Sequence, residues 1–419
     1  MRKKSIAVQI IMVLMVVSFL LAGCTKDNQN KGTINQNASI TTEPIETSGE
    51  ERKLDLANYS LDYKEGEDHQ PFFFWSEITK SETGYYFWGK GTYEHMLMFF
   101  DSESGMTVPL CNLPNCKHTA EDYDKCNAYF NEFESSPVTA GYDTRCLQYY
   151  NGNIYIIGVD SDAYVCMFRV AKDGSTREKS CRLFKFEPET DSDGSVESYN
   201  ASVCIHRGYL YFINNKEKEL KLRRMKLDSK EEADIIYETE GIRPNLYRME
   251  GYGDYIFFQG GNFTDEACEN MDGGIYAYNI VSQEISLVKK DAISAYMIKD
   301  TDIYYSTADS VNKYNLLTQK DEIFVKTKKG YATVAADNNY IYVVGNQFFG
   351  GDEESIIRVY KPDKTEVGQI QPPQEGGQCY FGDDNYLFAR TYGDSSGERI
   401  EVFDKSKLDE EESSWKKLY

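Results

Sequence analysis

Three thiols and an imidazole crowd into sixteen residues of this chain. The segment reads Cys111-Asn-Leu-Pro-Asn-Cys116-Lys-His118, and seven residues further on comes Cys126. Tetrahedral zinc takes four ligands of this kind, and three thiolates with one imidazole is an accepted set. Four protein ligands leave no open position for substrate or water, so a metal here would be structural. The spacing departs from the common knuckle, with C-x4-C and C-x-H in place of C-x2-C. A disulfide is the alternative for the same residues, because thiols of exported proteins meet oxidising surroundings.

Two other segments carry the letters of a chemistry without its context. Gly393-Asp394-Ser395-Ser396-Gly397 matches G-x-S-x-G, but a nucleophile elbow needs a helix directly after the serine. Glu398 to Phe403 instead alternates like a strand, which makes the glycines a hairpin turn. The four histidines, His69, His95, His118 and His206, stand in no protease-like setting. Asp191-Ser192-Asp193-Gly194-Ser195 begins like a calcium loop, yet its twelfth position is Ser202 rather than a bidentate glutamate. No Gly-rich phosphate loop and no dinucleotide fingerprint is present. The residue types point away from an enzyme.

The N-terminus is an address. Arg2, Lys3 and Lys4 precede Ile6 to Leu21, a 16-residue apolar stretch broken only by Gln9 and Ser18. That is short of the ~20 residues a spanning helix needs and fits a signal peptide, residues 1–23. The run ends Leu21-Ala22-Gly23-Cys24, which resembles the cleavage box of bacterial lipoproteins. The resemblance implies cleavage before Cys24, acylation of its thiol with palmitate-type chains, and anchoring to the cell membrane on its extracytoplasmic side. Residues 24–51 are then the lipidated cysteine and a polar tether too poor in apolar residues to fold. With Cys24 acylated, nine of the ten cysteines remain. A metal site using three leaves Cys146, Cys166, Cys181, Cys204, Cys268 and Cys379, as pairs or as small buried hydrophobes.

The elements that must position the cluster are strands. The chain has 33 Tyr, 22 Phe and 3 Trp in 419 residues, an aromatic content suited to half-buried pleated surfaces. A Gly/Asn/Asp turn followed by a Tyr-rich strand recurs at Gly84-Tyr-Tyr-Phe87, Asn153-Ile-Tyr-Ile156, Gly208-Tyr-Leu-Tyr211 and Asp254-Tyr-Ile-Phe257. Further copies are Asp302-Ile-Tyr-Tyr305, Asn339-Tyr-Ile-Tyr342 and Asn385-Tyr-Leu-Phe388. Aligning Phe87, Tyr155, Tyr211, Phe257, Tyr304, Tyr342 and Phe388 gives spacings of 68, 56, 46, 47, 38 and 46. Each interval has room for four short strands, so residues 52–419 read as an all-β propeller of seven four-stranded blades, with a Cys/His-rich insertion at 111–130. Lys and Arg number 46 against 68 Asp and Glu, a net charge of −22, and losing the three signal cations would take it to −25. Such a chain repels phosphate backbones, which excludes nucleic acid as a partner.

The repeat, together with Val108-Pro109-Leu110-Cys111 through Cys126-Asn127-Ala128-Tyr129-Phe130, resembles outward-facing propeller lipoproteins of Gram-positive anaerobic bacteria. The resemblance covers residues 71–419 and implies a fold and an address; that family carries no catalytic residues to transfer. In a propeller, blade-to-blade connectors and mid-blade hairpins emerge on one face. Three enlarged segments fall there: 111–130; 259–274, with Phe263 and Asp265; and 346–355, with Phe348, Phe349 and Asp352. Aromatics beside carboxylates suit sugar faces or cationic peptide groups, although Phe348 and Phe349 could equally plug a blade junction. The reading is a binding module for a glycan, peptide or envelope partner. A scaffold of a surface complex and a glycan hydrolase or lyase are its alternatives.

Overall fold

The structure is a computed structural model that describes residues 50–70, 77–89, 95–130, 146–185, 203–216, 219–240, 243–264, 271–290, 295–328, 332–345, 348–349, 355–373, 377–393, 397–408 and 415–419. Its strands form seven antiparallel sheets in chain order. Blade 1 is β1 (Ile78–Lys80), β2 (Gly84–Trp88), β3 (Leu97–Asp101) and β4 (Thr107–Pro109). Blade 2 is β5 (Cys146–Tyr150), β6 (Asn153–Val159), β7 (Tyr164–Ala171) and β8 (Arg177–Lys185). Blade 3 is β9 (Val203–His206), β10 (Tyr209–Lys216), β11 (Glu219–Lys226) and β12 (Asp234–Glu240). Blade 4 is β13 (Arg243–Tyr252), β14 (Tyr255–Phe263), β15 (Met271–Asn279) and β16 (Ile285–Lys290). Blade 5 is β17 (Tyr296–Lys299), β18 (Asp302–Ser306), β19 (Ser310–Asn315) and β20 (Asp321–Lys326). Blade 6 is β21 (Thr333–Ala336) and β22 (Ile341–Val344), then, past β23 (Phe348–Phe349), β24 (Ile357–Tyr360) and β25 (Glu366–Ile370). Blade 7 is β26 (Gly377–Tyr380), β27 (Tyr386–Gly393), β28 (Gly397–Asp404) and β29 (Lys416–Lys417).

All seven Tyr-rich repeats are the second strand of their blade. That strand packs one face on each neighbouring blade, so it is buried on both sides; all of β2 and β22 is buried. Fourth strands lie at the rim and alternate with solvent, as β12 and β20 do. First strands neighbour one another in order, β1 to β5, β9, β13, β17 and β21, which makes them the inner ring. Among the described residues no ladder pairs one blade's first strand with the next blade's, so side chains take over. The Thr79 hydroxyl accepts from the Tyr149 amide at 2.8 Å. Gln148 accepts from the Ile205 amide and donates to the Val203 carbonyl. The Lys299 ammonium donates to the Asp337 carbonyl at 2.8 Å. Each bond satisfies backbone groups that burial would otherwise strand.

Blades 6, 7 and 1 are tied by a buried polar chain. The Tyr342 hydroxyl donates to Asp337 at 2.5 Å, and the Lys405 ammonium reaches Asp337 at 2.7 Å and the Asp383 carbonyl. The Asp383 carboxylate accepts from Tyr85 and pairs with Lys80 of blade 1.

A strap precedes blade 1. Arg52 bonds Leu287 on the outer strand of blade 4, and Leu54 is buried in the cluster between blades 4 and 5. Ser60 and Asp254 exchange hydrogen bonds at the first turn of blade 4. Asp68 pairs with Arg207, His69 donates its amide to His206, and Gln70 brackets the Lys80 backbone of blade 1. The strap thus docks in turn on the first-to-second-strand turns of blades 4, 3 and 1. Gly253 permits the docking: its φ is +59°, and a Cβ there would lie 2.3 Å from the Ser60 carbonyl.

Candidate metal centre and the two faces of the ring

The insertion at 111–130 does not simply link blade 1 to blade 2. β4 pairs Pro109, Val108 and Thr107 with Met98, Phe99 and Phe100, and the Leu110 amide continues to the Leu97 carbonyl. The chain then leaves the sheet and returns. Leu97 donates to the Ala128 carbonyl, Met96 bridges Tyr129, and Phe130 donates to the His95 carbonyl. One outer strand of blade 1 is thus built in two pieces with a loop between them. This places the loop on the outer edge of blade 1 and accounts for the 68-residue first interval.

Within the loop Cys111, Cys116, His118 and Cys126 converge, their donor atoms all within 4.8 Å of one another. The group can hold a metal ion. The His118 Nδ1 stands 3.3 Å from the Cys116 sulfur and 3.5 Å from the Cys126 sulfur. A tetrahedral zinc with bonds of about 2.3 Å to sulfur and about 2.0 Å to nitrogen sets such N···S edges at roughly 3.5 Å. Asn115 and His118 adopt left-handed φ of +65° and +56°, which their side-chain types tolerate better than most. Asp122 accepts from the Lys117 amide and holds the turn. The three cluster thiols are not joined in a disulfide; Cys146, Cys166, Cys204 and Cys379 are buried on strands and Cys181 is half-buried. Cys268 lies outside the described residues.

The thiols are electrostatically unequal. At Cys111 burial opposes ionisation, but the backbone amides of Leu113 and Asn127 and the neighbouring thiols outweigh it and hold the thiol below its usual range. At Cys126 burial dominates, the Cys111 charge adds to it, and the thiol is pushed up to about 12. A dication bound between them would offset the charge repulsion between Cys111 and Cys126 and release protons as it binds.

The two faces of the ring differ. The strap binds the face formed by first-to-second-strand turns, at blades 4, 3 and 1. The opposite face carries the mid-blade hairpins, where the aromatic candidates fall on different blades. Phe263 ends β14, pairing with Arg243 and Met271 in blade 4. Phe348 and Phe349 form β23, which pairs with Gln378 and Gly377 on the inner edge of blade 7. They belong to sheets three blades apart around the ring, not to one patch. Asp265 and Asp352 lie outside the described residues, as do Cys24 and the 191–195 segment. Gly393 and Gly397 face each other across the hairpin of β27 and β28, so the G-x-S-x-G letters close a turn.

Buried charges on the inner ring escaped sequence reasoning. Burial pushes the Glu250 carboxyl up to about 7, against opposing pulls from Arg248 and the Ile298 amide. Burial beside His206 lowers the His69 imidazole to about 3. Among the described residues no helix is long and apolar enough to cross a membrane.

No protein-family profile and no curated protein sequence matches the chain. Among solved structures it is similar to a prolyl endopeptidase, with a TM-score of 0.51 and 11% identity over 83% of this chain and 50% of that one. TolB from Acinetobacter baumannii aligns with a TM-score of 0.35 and 11% identity over 71% of this chain and 79% of its own. The chain spans half the length of the endopeptidase, and at this identity the likeness is one of fold. The protein is a seven-bladed β-propeller.

Proposed function

We propose that the chain is a lipid-tethered extracytoplasmic protein, of the kind found among propeller lipoproteins of Gram-positive anaerobic bacteria, whose propeller is a binding module. Cys24 is the anchor, residues 25–51 the tether, and the loop-rich face receives a glycan, peptide or envelope partner. The observation that supports this most directly is the strap. The segment that follows the tether docks on the first-to-second-strand turns of blades 4, 3 and 1, on the face opposite the hairpin loops that would meet a partner. In the same reading Cys111, Cys116, His118 and Cys126 hold a structural zinc, which the N···S distances and the donor set fit.

The test is to express the full chain and its Cys24→Ala variant, follow incorporation of a labelled fatty acid, and fractionate membranes. The lipidated protein in detergent is then screened against glycan and peptide arrays. Labelling lost in Cys24→Ala, with array binding that survives the substitution, is the expected result. Equal labelling of both forms refutes the anchor, and arrays blank for both refute the binding module.

A further inference from the structure

We infer that the Cys3His group is the lock of the ring: metal bound there holds blade 1 against blade 7. The inference rests on the zinc reading above and adds what the metal controls. Blades follow one another in chain order, and every sheet's four core strands come from its own stretch of chain. Six junctions are therefore crossed by a covalent connector. The junction between blades 7 and 1 is not, and among the described residues no terminal strand is exchanged across it. Side chains must hold it.

The cluster lies against that junction. Cys126, Ala128 and Tyr129 of the loop belong to the same apolar cluster as Ile400, Val402 and Leu418 of blade 7 and its C-terminal strand. Cys111 and Cys116 pack against that cluster, and so does Tyr419, whose ring stacks on Phe87 of blade 1 at 6.0 Å. Three of the four donors thus belong to, or pack on, the apolar cluster that spans the seam. The fourth, His118, faces two of them. The loop is closed at its base by Leu110 and Ala128 on either side of Leu97. Ligands drawn onto one ion fix Cys126 relative to Cys111, and so fix the second half of the outer strand on β3. Without that constraint, residues 126–130 are free to leave the seam together with the C-terminal residues they cover.

Hydrogen exchange on the full chain in detergent tests this, with zinc loaded and after stripping by a chelator. Cobalt substitution, read by its tetrahedral visible bands, reports separately whether the site takes metal. The expected result is one metal per chain and, on stripping, a roughly tenfold or greater rise in exchange across β1–β3 and residues 397–419, while β13–β20 change little. Metal binding with faster exchange confined to 110–127 overturns the lock and leaves the zinc reading standing. Absence of bound metal and of tetrahedral cobalt bands overturns both. Tyr419→Ala perturbs the far side of the seam without altering a donor. If metal and seam are coupled, reciprocity requires that this variant bind zinc more weakly, by roughly 5-fold or more. Unchanged zinc affinity in Tyr419→Ala overturns the lock.

Discussion

Replacing Glu250 by glutamine gives a stability gain that depends on pH in a calculable way. Glu250 is fully buried on β13, facing blade 5; Arg248 and the Ile298 amide lie against its carboxyl, and the Oε2 atom has no hydrogen-bond partner. Its carboxyl is raised from 4.5 to about 7. The folded chain therefore holds this proton more tightly than the unfolded chain does. Below pH 4.5 the group costs nothing, since it is protonated in both states. Between about 4.5 and 7 stability falls as pH rises, and above 7 the loss is constant. At 1.36 kcal/mol per unit, the raised carboxyl costs about 3 kcal/mol at pH 8. Glutamine imitates the neutral acid and keeps an acceptor for the Ile298 amide. Glu250→Gln is thus expected to gain up to about 3 kcal/mol over the parent at pH 8 and essentially nothing at pH 4.5. Denaturant titrations of both proteins at the two pH values, with matched m-values, measure it. Equal effects at both pH values, or a loss at pH 8, would show that Arg248 holds the carboxylate ionised and would refute the argument.

Three other outcomes follow from buried contacts. Asp337→Asn leaves the Lys405 ammonium, 4% exposed, without its carboxylate and should cost about 3–5 kcal/mol in thermal or denaturant unfolding; adding Lys405→Met should recover most of it. Gly253→Ala forces a Cβ to 2.3 Å from the Ser60 carbonyl at φ +59°, so the strap should lift and limited proteolysis should cut within 51–66 far faster than in the parent. Gln148→Ala removes three bonds at once, two of them to the backbone of β9, and at roughly 1 kcal/mol each should cost about 2–3 kcal/mol with no change in metal content.

What could be read in advance was whatever the chain writes locally. The second strand of each blade is buried on both faces, so its aromatic run survives in every repeat and fixes the blade count. The candidate metal cluster was legible because sixteen consecutive residues hold its four side chains. What joins distant parts was not. The strap bond between Ser60 and Asp254 spans 194 residues, and that between Tyr85 and Asp383 spans 298. Glu250 in Arg-Met-Glu-Gly looks like any polar residue beside a turn until the neighbouring blade buries it. The sequence spacing suggested that 111–130 was a connector. Only the pairing of Ala128–Phe130 with His95–Leu97 shows an interrupted outer strand. Phe348 and Phe349, read either as loop-face aromatics or as a plug at a blade junction, form a strand whose ladder runs to blade 7.

Ring closure is the common problem behind these features. A propeller made of consecutive four-stranded blades must close its last junction with contacts alone, and each contact contributes little: about 1 kcal/mol for a hydrogen bond. The Tyr85–Asp383 and Tyr380–Glu77 bonds supply direction across the seam, and the apolar cluster supplies area. Structural zinc sites bind with apparent energies on the order of 10–16 kcal/mol, so even a modest coupled fraction of one would exceed several such bonds together. The cysteine loop sits where that energy counts most, against the junction without a connector. The strap acts elsewhere, on the first-to-second-strand turns of blades 4, 3 and 1. Loss of the strap should therefore bare those turns, whereas under the proposed lock loss of the metal should open the circle.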